Sequence, residues 1–374
     1  MIVTGRRDFV RNSALVGAGL MLPGCATTSG AGTGGAGVAS ATSACLPRVQ
    51  VSPGRVIRTV AGLRPYRASG FVVRADALGD KRLVHNYGHG GAGITLSWGT
   101  SRLAIDLGLP GHDGPVAVLG SGIVGLTTAR LLQEAGFAVT LYAAALPPQT
   151  TSNIAGGQWH PAGLYRRDQV TPEWLAQFRS AMDYSWRRFQ IMTGDEYGIR
   201  WLPTYQEADA LAGADDPSGM YETDAVLLGP GEHPFPVGKV RRYMTMYAET
   251  GHLLRQLIRD VQIAGGRFVI RQFATPAEVA ALPERLVFNC TGLGAGKLFG
   301  DTVIQPLRGQ LAILLPQAEV QYAYLGDMGY MFPRGDGIVC GGTWEYDEWD
   351  TNPQPERIAR IIARQQAFFA GMKC

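Results

Sequence analysis

Three glycine-rich stretches mark where this chain could do chemistry. HNYGHGGAGIT, residues 85–95, sets Gly88, Gly90, Gly91 and Gly93 just ahead of a helical pattern that begins with Ile94 and Thr95. GSGIVG, residues 120–125, places Gly120, Gly122 and Gly125 in the spacing GxGxxG, with Ser121 and Ile123 between them. NCTGLGAG, residues 289–296, follows an apolar run and carries Thr291. Turns without Cβ atoms let a flat or anionic ligand lie against backbone N–H groups, and a helix opening behind the turn adds the positive end of its dipole. A dinucleotide pyrophosphate suits that arrangement.

The elements around GSGIVG give the spacing its meaning. Val116 to Leu119 is a short apolar run of the kind a buried parallel strand shows. Ile123, Leu126, Ala129 and Leu132 trace one helical face, Gly136 ends the helix, and FAVTLY forms a second strand. An acidic side chain for the ribose hydroxyls is expected at the end of that strand, and Ala144 stands there. Further on, residues 171–190 read as a helix with proline in its first turn, and 240–247 alternate as a strand. A second helix is closed by Gly265 and Gly266, and GYMFPRGDGIVCGGTW reads as a hairpin turning at Arg334–Gly337. Strands and helices mix without strict alternation. The expected fold is therefore α/β, a nucleotide domain beside a sheet-based substrate domain. His85 and His89 have no second ligand pair at metal-binding spacing, so no metal is expected.

The bulk numbers narrow the class. A chain of 374 residues, 46% hydrophobic and 17% charged, can bury a large core. The net charge of +3 includes three arginines and one aspartate within the first 25 residues, so the remainder carries only +1. No basic stripe remains to hold nucleic acid. Residues 1–25 read as an export leader: the twin arginine Arg6 and Arg7 precede a short apolar stretch, and LPGC then presents Cys25 for acylation, as in a lipoprotein. Residues 26–44 are small and uncharged, a tether in composition. A periplasmic body, with a membrane tether through Cys25, is the expectation.

Six separated stretches resemble one family. TTSNIAGGQWHP, NCTGLGAG, PLRGQ, YMFPRGDGIVCGGTWEYDEWD, GLRPYR and HNYGHGGAGITLSWG are similar to sequences of the D-amino-acid oxidase family. The resemblance implies FAD as cofactor and a Rossmann-like FAD-binding domain with a mixed-sheet substrate domain. The order differs from the family's. GLRPYR and HGGAG close the chain there and precede the GxGxxG loop here, which implies a circular permutation. Residues 45–109 then correspond to the family's C-terminal segment, and PGHDG at 110–114 bridges to the first nucleotide-binding strand. Residues 115–160 and 285–300 are the expected FAD-binding parts; 161–284 and 301–350 are mainly the substrate domain. Cys45 and Cys374 flank the permuted break and are expected to form a disulfide in an oxidising compartment, whereas Cys290 and Cys340 read as buried thiols.

The resemblance also assigns roles. Arg64 matches the arginine that clamps the substrate carboxylate, Tyr243 falls near a lid tyrosine on the same carboxylate, with Tyr247 as the alternative, and the Gly91 carbonyl would accept the substrate ammonium. Arg67 is more structural in character. Thr150, Thr151, Gly156, Gly157 and Gln158 match the segment lining the flavin and its phosphates; Gly90, Gly93, Ile94 and Thr95 match the loop at its pyrimidine edge. The implied reaction is hydride transfer from the Cα of a D-amino acid to flavin N5, hydrolysis of the imino acid, and reoxidation by dioxygen to give hydrogen peroxide. Arg241 and Arg242 raise the option of an acidic side chain on the substrate. Oxidation of glycine or N-methyl amino acids, and a non-catalytic exported flavoprotein, are the alternatives.

Overall fold

The protein is described from a computed structural model, which covers residues 45–208 and 217–373; the leader, the tether and Cys374 lie outside the described residues. Strand β1 (Val56–Tyr66) is followed by the hairpin β2 (Val72–Leu78) and β3 (Lys81–Tyr87), helix α1 (Gly93–Gly108), β4 (Val116–Leu119), α2 (Ile123–Glu134) and β5 (Val139–Ala143). Next come α3 (Thr151–Ile154), α4 (Pro172–Ile191), β6 (Ile199–Glu207), β7 (Thr223–Leu228), β8 (Val240–Ala248), α5 (Thr250–Ile263), β9 (Arg267–Ile270), α6 (Pro276–Ala280) and β10 (Leu286–Asn289). The chain closes with α7 (Gly294–Phe299), β11 (Gln305–Leu314), β12 (Ala323–Gly326), β13 (Gly329–Arg334), β14 (Gly337–Gly341), β15 (Glu345–Tyr346) and α8 (Pro355–Ala370).

Two sheets organise these elements. The six-stranded sheet runs β2-β3-β10-β4-β5-β9, parallel throughout except for the β2–β3 hairpin. Its central strands β4 and β10 are buried at every residue, because helices cover both faces of a parallel sheet. The nine-stranded sheet runs β1-β11-β14-β13-β12-β6-β8-β7, with β15 on β11. Helix α8 lies against it through Ile358, Ile361, Ile362 and Phe369, and Gln365 Nε2 donates to the Tyr330 carbonyl at 2.8 Å. Neither sheet is a continuous piece of chain. β1 joins the large sheet while β2 and β3 join the small one.

One boundary differs from the sequence expectation. The stretch 250–284 belongs to the nucleotide side, not to a substrate domain, because β9 adds in parallel to β5 and Gln133 of α2 bonds the Val261 carbonyl of α5 at 2.9 Å. The strands, helices and hairpin read from the sequence otherwise form where expected, including the turn at Arg334–Gly337.

Helices α1 and α2 are fastened side by side by buried hydroxyls. Ser101 Oγ sits 3.0 Å from Thr127 Oγ1 and 2.8 Å from Thr128 Oγ1, and Asn86 Nδ2 reaches both Ser101 and Thr128. Polar groups at so buried an interface are stable only when paired, which fixes the register of the two helices. Their N-termini therefore open at the same end of the small sheet.

Candidate active site

At that end lies a cavity of about 620 Å3 between the two sheets. The loop of Gly120, Ser121, Gly122 and Ile123 lines it at the N-terminus of α2. Gly120 has φ +102°, and a Cβ there would fall 2.5 Å from the Cys290 carbonyl oxygen. A Cβ on Gly125 would fall 2.0 Å from the Gly120 carbonyl oxygen, so Gly125 serves close packing of helix on loop and is not itself in the lining. Thr291, after β10, lines the cavity beside this loop, and its hydroxyl donates to Asn289 Oδ1 at 2.7 Å.

A second wall comes from Gly90, Gly91, Gly93 and Ile94 at the N-terminus of α1. Thr95 is behind it: its hydroxyl donates to the His160 carbonyl at 2.9 Å and accepts from the His160 N–H at 3.0 Å, fastening the loop after Gln158. His89 also lines the cavity, 2.9 Å from Thr100 Oγ1, and burial pushes its pKa down to about 3. It is a neutral imidazole at working pH.

Thr150, Thr151, Gly156, Gly157 and Gln158 form a third wall. Two residues not singled out from sequence hold it in place. Ser152 Oγ accepts the Ile123 N–H at 3.0 Å, tying α3 to the start of α2. Arg334 of the hairpin reaches back, its Nη1 donating to the Ala155 carbonyl at 2.9 Å and to Thr250 Oγ1 at 3.0 Å.

At the large-sheet end stands Arg64. Its Nη1 donates weakly to the Leu307 and Thr343 carbonyls, at 3.4 and 3.3 Å, and its guanidinium lies over the Trp344 ring at 4.7 Å. Gly309 makes the slot: a Cβ there would lie 2.4 Å from the guanidinium nitrogens. Among the described residues no carboxylate pairs with Arg64. Thr343 and Trp344 are held by a buried cluster beneath them, where Arg308, only 1% exposed, binds Glu345 through Nε at 2.7 Å.

Tyr330 lines the cavity beside Arg64, whose charge opposes the rise that burial gives the Tyr330 pKa. The hydroxyl remains a neutral donor. Sequence reading passed over Tyr330 and chose Tyr243; the alternation along β13, which puts Tyr330 and Phe332 on one face with rings 4.6 Å apart, was the available signal. Tyr243 is a correction. β12 and β6 separate β8 from β13, and the Tyr243 hydroxyl is turned into a buried network, donating to Gln206 Oε1 at 3.2 Å and accepting from Gln158 Nε2 at 3.4 Å. Neither it nor Tyr247 lines the cavity. Arg67 is structural, paired with Asp301, which also accepts from the Tyr87 hydroxyl at 2.8 Å. Arg241 pairs with Glu222, and neither it nor Arg242 reaches the cavity, so neither is placed to meet an acidic substrate side chain there.

The donor set fits FAD. Arg64, Arg271 and Lys297 line the cavity, and among its described lining residues there is no aspartate or glutamate. Two helix N-termini open into the cavity, an arrangement that favours an anion, and Gly120 leaves room against backbone. The family described as FAD dependent oxidoreductase matches residues 24–107 and 115–373. The chain belongs to the D-amino-acid oxidase family of FAD-dependent oxidoreductases. The D-amino-acid oxidase of Streptomyces coelicolor is 32% identical over 273 residues, covering 68% of this chain and 77% of that protein. A D-aspartate oxidase of Homo sapiens is 25% identical over 259 residues, covering 67% and 74%. The glycine oxidase of Bacillus cereus shares the fold, with TM-score 0.54 at 18% identity, covering 68% of this chain and 78% of that one. As a member of the D-amino-acid oxidase family this protein is an FAD-dependent oxidoreductase, and the GxGxxG loop and Arg64 line the same cavity.

Proposed function

We propose that the protein oxidatively deaminates D-amino acids to 2-oxo acids, ammonia and hydrogen peroxide. The observation that carries this is Arg64, a cation facing the cavity with no carboxylate partner among the described residues, beside a neutral tyrosine donor. A planar guanidinium suits a carboxylate, which it can hold with two parallel hydrogen bonds. Bound FAD supplies the hydride acceptor and the link to dioxygen. Arg64 and the Tyr330 hydroxyl hold the carboxylate, the Gly91 carbonyl accepts from the amino group, and these three contacts orient the Cα–H bond. His89, kept neutral by burial, neither repels nor protonates the substrate amine. Ile154, Leu311, Leu325 and Phe332 give the substrate end an apolar lining that excludes water. The test is anaerobic visible absorbance. Flavin bands that bleach with a D- but not an L-amino acid, and recover in air, support the reading; bleaching with glycine or sarcosine alone would transfer it to the glycine-oxidase alternative. No bleaching by any amino acid overturns it.

The permuted order belongs to the same reading. β3, α1 and β4 run as one crossover that flanks β10, and the loop 109–115 suffices to join α1 to β4. The two ends of the body also lie together. Arg48 Nη2 donates to the Met372 carbonyl at 2.8 Å, and the Tyr322 hydroxyl donates to the Pro47 carbonyl at 2.9 Å. That proximity supports a Cys45–Cys374 disulfide across the ends, although Cys374 lies outside the described residues. A linked peptide pair under non-reducing mass spectrometry is the expected result, and two free thiols would refute it. Export through the twin-arginine leader with lipidation at Cys25 rests on the sequence, and its check is fractionation of wild type against R6K/R7K and C25S variants. Among the described residues no helix is long and apolar enough to cross a membrane.

A further inference from the structure

The adenosine end of the FAD cavity lacks the side chain expected there. β5 runs out into Ala143, Ala144 and Ala145, all lining the cavity and none able to hydrogen-bond through its side chain. A dinucleotide site of this topology ordinarily ends its second strand in an acid that accepts from the ribose hydroxyls. What lies alongside is the next strand. The Arg271 N–H donates to the Ala143 carbonyl at 2.8 Å, which fixes Arg271 beside the gap as the chain leaves β9. Arg271, Gln272 and Phe273 line the same end of the cavity. The Arg271 guanidinium lies over the Phe273 ring at 4.6 Å, and Phe273 meets Tyr142 edge-on at 5.8 Å. Among the described residues no carboxylate pairs with Arg271. The stacked ring braces an exposed arginine beside the three alanines.

We propose that Arg271, braced by Phe273, is the ribose-recognising residue of this protein, a cation donor where an acid acceptor is usual. The inference rests on the FAD assignment and is independent of which amine is oxidised. It reverses the chemistry of the subsite. A carboxylate accepts from the ribose hydroxyls and repels a phosphate placed on them, whereas a guanidinium donates to the hydroxyl oxygens and binds such a phosphate. An adenosine phosphorylated at the ribose 2′ position therefore binds this end of the cavity more tightly than one that is not.

The experiment uses the full chain freed of flavin. FAD rebinding is followed by quenching of flavin fluorescence, and adenosine 2′,5′-bisphosphate and 5′-AMP are the competitors, differing only in the 2′-phosphate. One added charge-assisted contact at an exposed site predicts about a tenfold lower inhibition constant for the bisphosphate at low salt, shrinking as salt is raised. Arg271→Ala abolishes that preference and weakens FAD severalfold; Arg271→Lys keeps part of the preference, and Arg271→Glu inverts it. Phe273→Leu weakens FAD while keeping the preference in sign, because the cation remains but loses its brace. Equal or better competition by 5′-AMP in the wild type overturns the proposal, as does an Arg271→Ala variant with unchanged FAD affinity and unchanged preference. A wild-type protein that fails to rebind FAD removes the FAD assignment and the proposal with it. An FAD-binding protein that ignores D-amino acids refutes the reaction and leaves the subsite standing.

Discussion

Replacing Arg64 by alanine separates a substrate clamp from a structural arginine. The guanidinium makes two long bonds to carbonyls, 3.4 and 3.3 Å, a stacking contact with Trp344 at 4.7 Å and a contact with the Tyr330 hydroxyl, and among the described residues no carboxylate pairs with it. These hold its position and leave its charge uncompensated. A bound carboxylate would gain two charge-assisted hydrogen bonds, each worth about 1.5–3 kcal/mol, and without Arg64 it would enter a cavity lined at this end by Leu311, Leu325 and Phe332. Discounting the larger figure for partial solvent access leaves a loss of about 3 kcal/mol, or about two orders of magnitude in kcat/KM for D-alanine. Arg64→Lys keeps the charge and loses the fork, so about half of that free energy is lost. The assay is anaerobic flavin reduction across substrate concentrations, which reads apparent Kd and limiting rate separately. The Kd should carry most of the change. The melting temperature should stay level or rise, since an uncompensated cation is removed from a half-buried site. An Arg64→Ala protein that holds FAD and keeps kcat/KM within fivefold of wild type would refute the clamp.

The other predictions are shorter. Tyr330→Phe should raise KM about three- to tenfold with little change in kcat, because one neutral hydrogen bond of about 1 kcal/mol is lost, whereas Tyr243→Phe should leave KM unchanged. Gly125→Ala should lower the melting temperature and weaken FAD, since a Cβ 2.0 Å from the Gly120 carbonyl forces α2 off the loop at about 1–3 kcal/mol; titration of the variant with FAD reads the second effect. The pKa of His89, about 3 when folded against about 6.5 unfolded, means the unfolded chain takes up a proton first on acidification. Its stabilising effect is complete above about pH 6.5 and declines as pH falls towards 3, so His89→Asn should flatten the loss of stability in urea titrations over that window.

Some of this protein was legible in its sequence because the signal is local. Val116–Leu119 must be a buried strand, the turn after it can accept only glycine at Gly120, and Ile123 to Leu132 spell a helix face without reference to distant chain. The six family-like stretches located most of the cavity wall for the same reason: Arg64, Gly91, Thr150 and Thr291 each sit within a short stretch that carries its own pattern. Thr95 and Gly125 were read from those patterns too, but the structure turns both away from the cavity into packing.

What the sequence left open depends on which strands become neighbours. Tyr243 and Tyr330 are both tyrosines on alternating strands, and only the sheet order places β13 beside Arg64 and β8 across two further strands. Arg271 is an unremarkable polar residue until β9 pairs with β5 and brings it beside Ala144. The stretch 250–284 joins the nucleotide side by that same pairing. Strand order is settled by burial summed over the whole chain, through contacts between residues far apart in sequence. A local pattern can say that a strand forms and which residues share its face, and tertiary packing alone decides what that face meets.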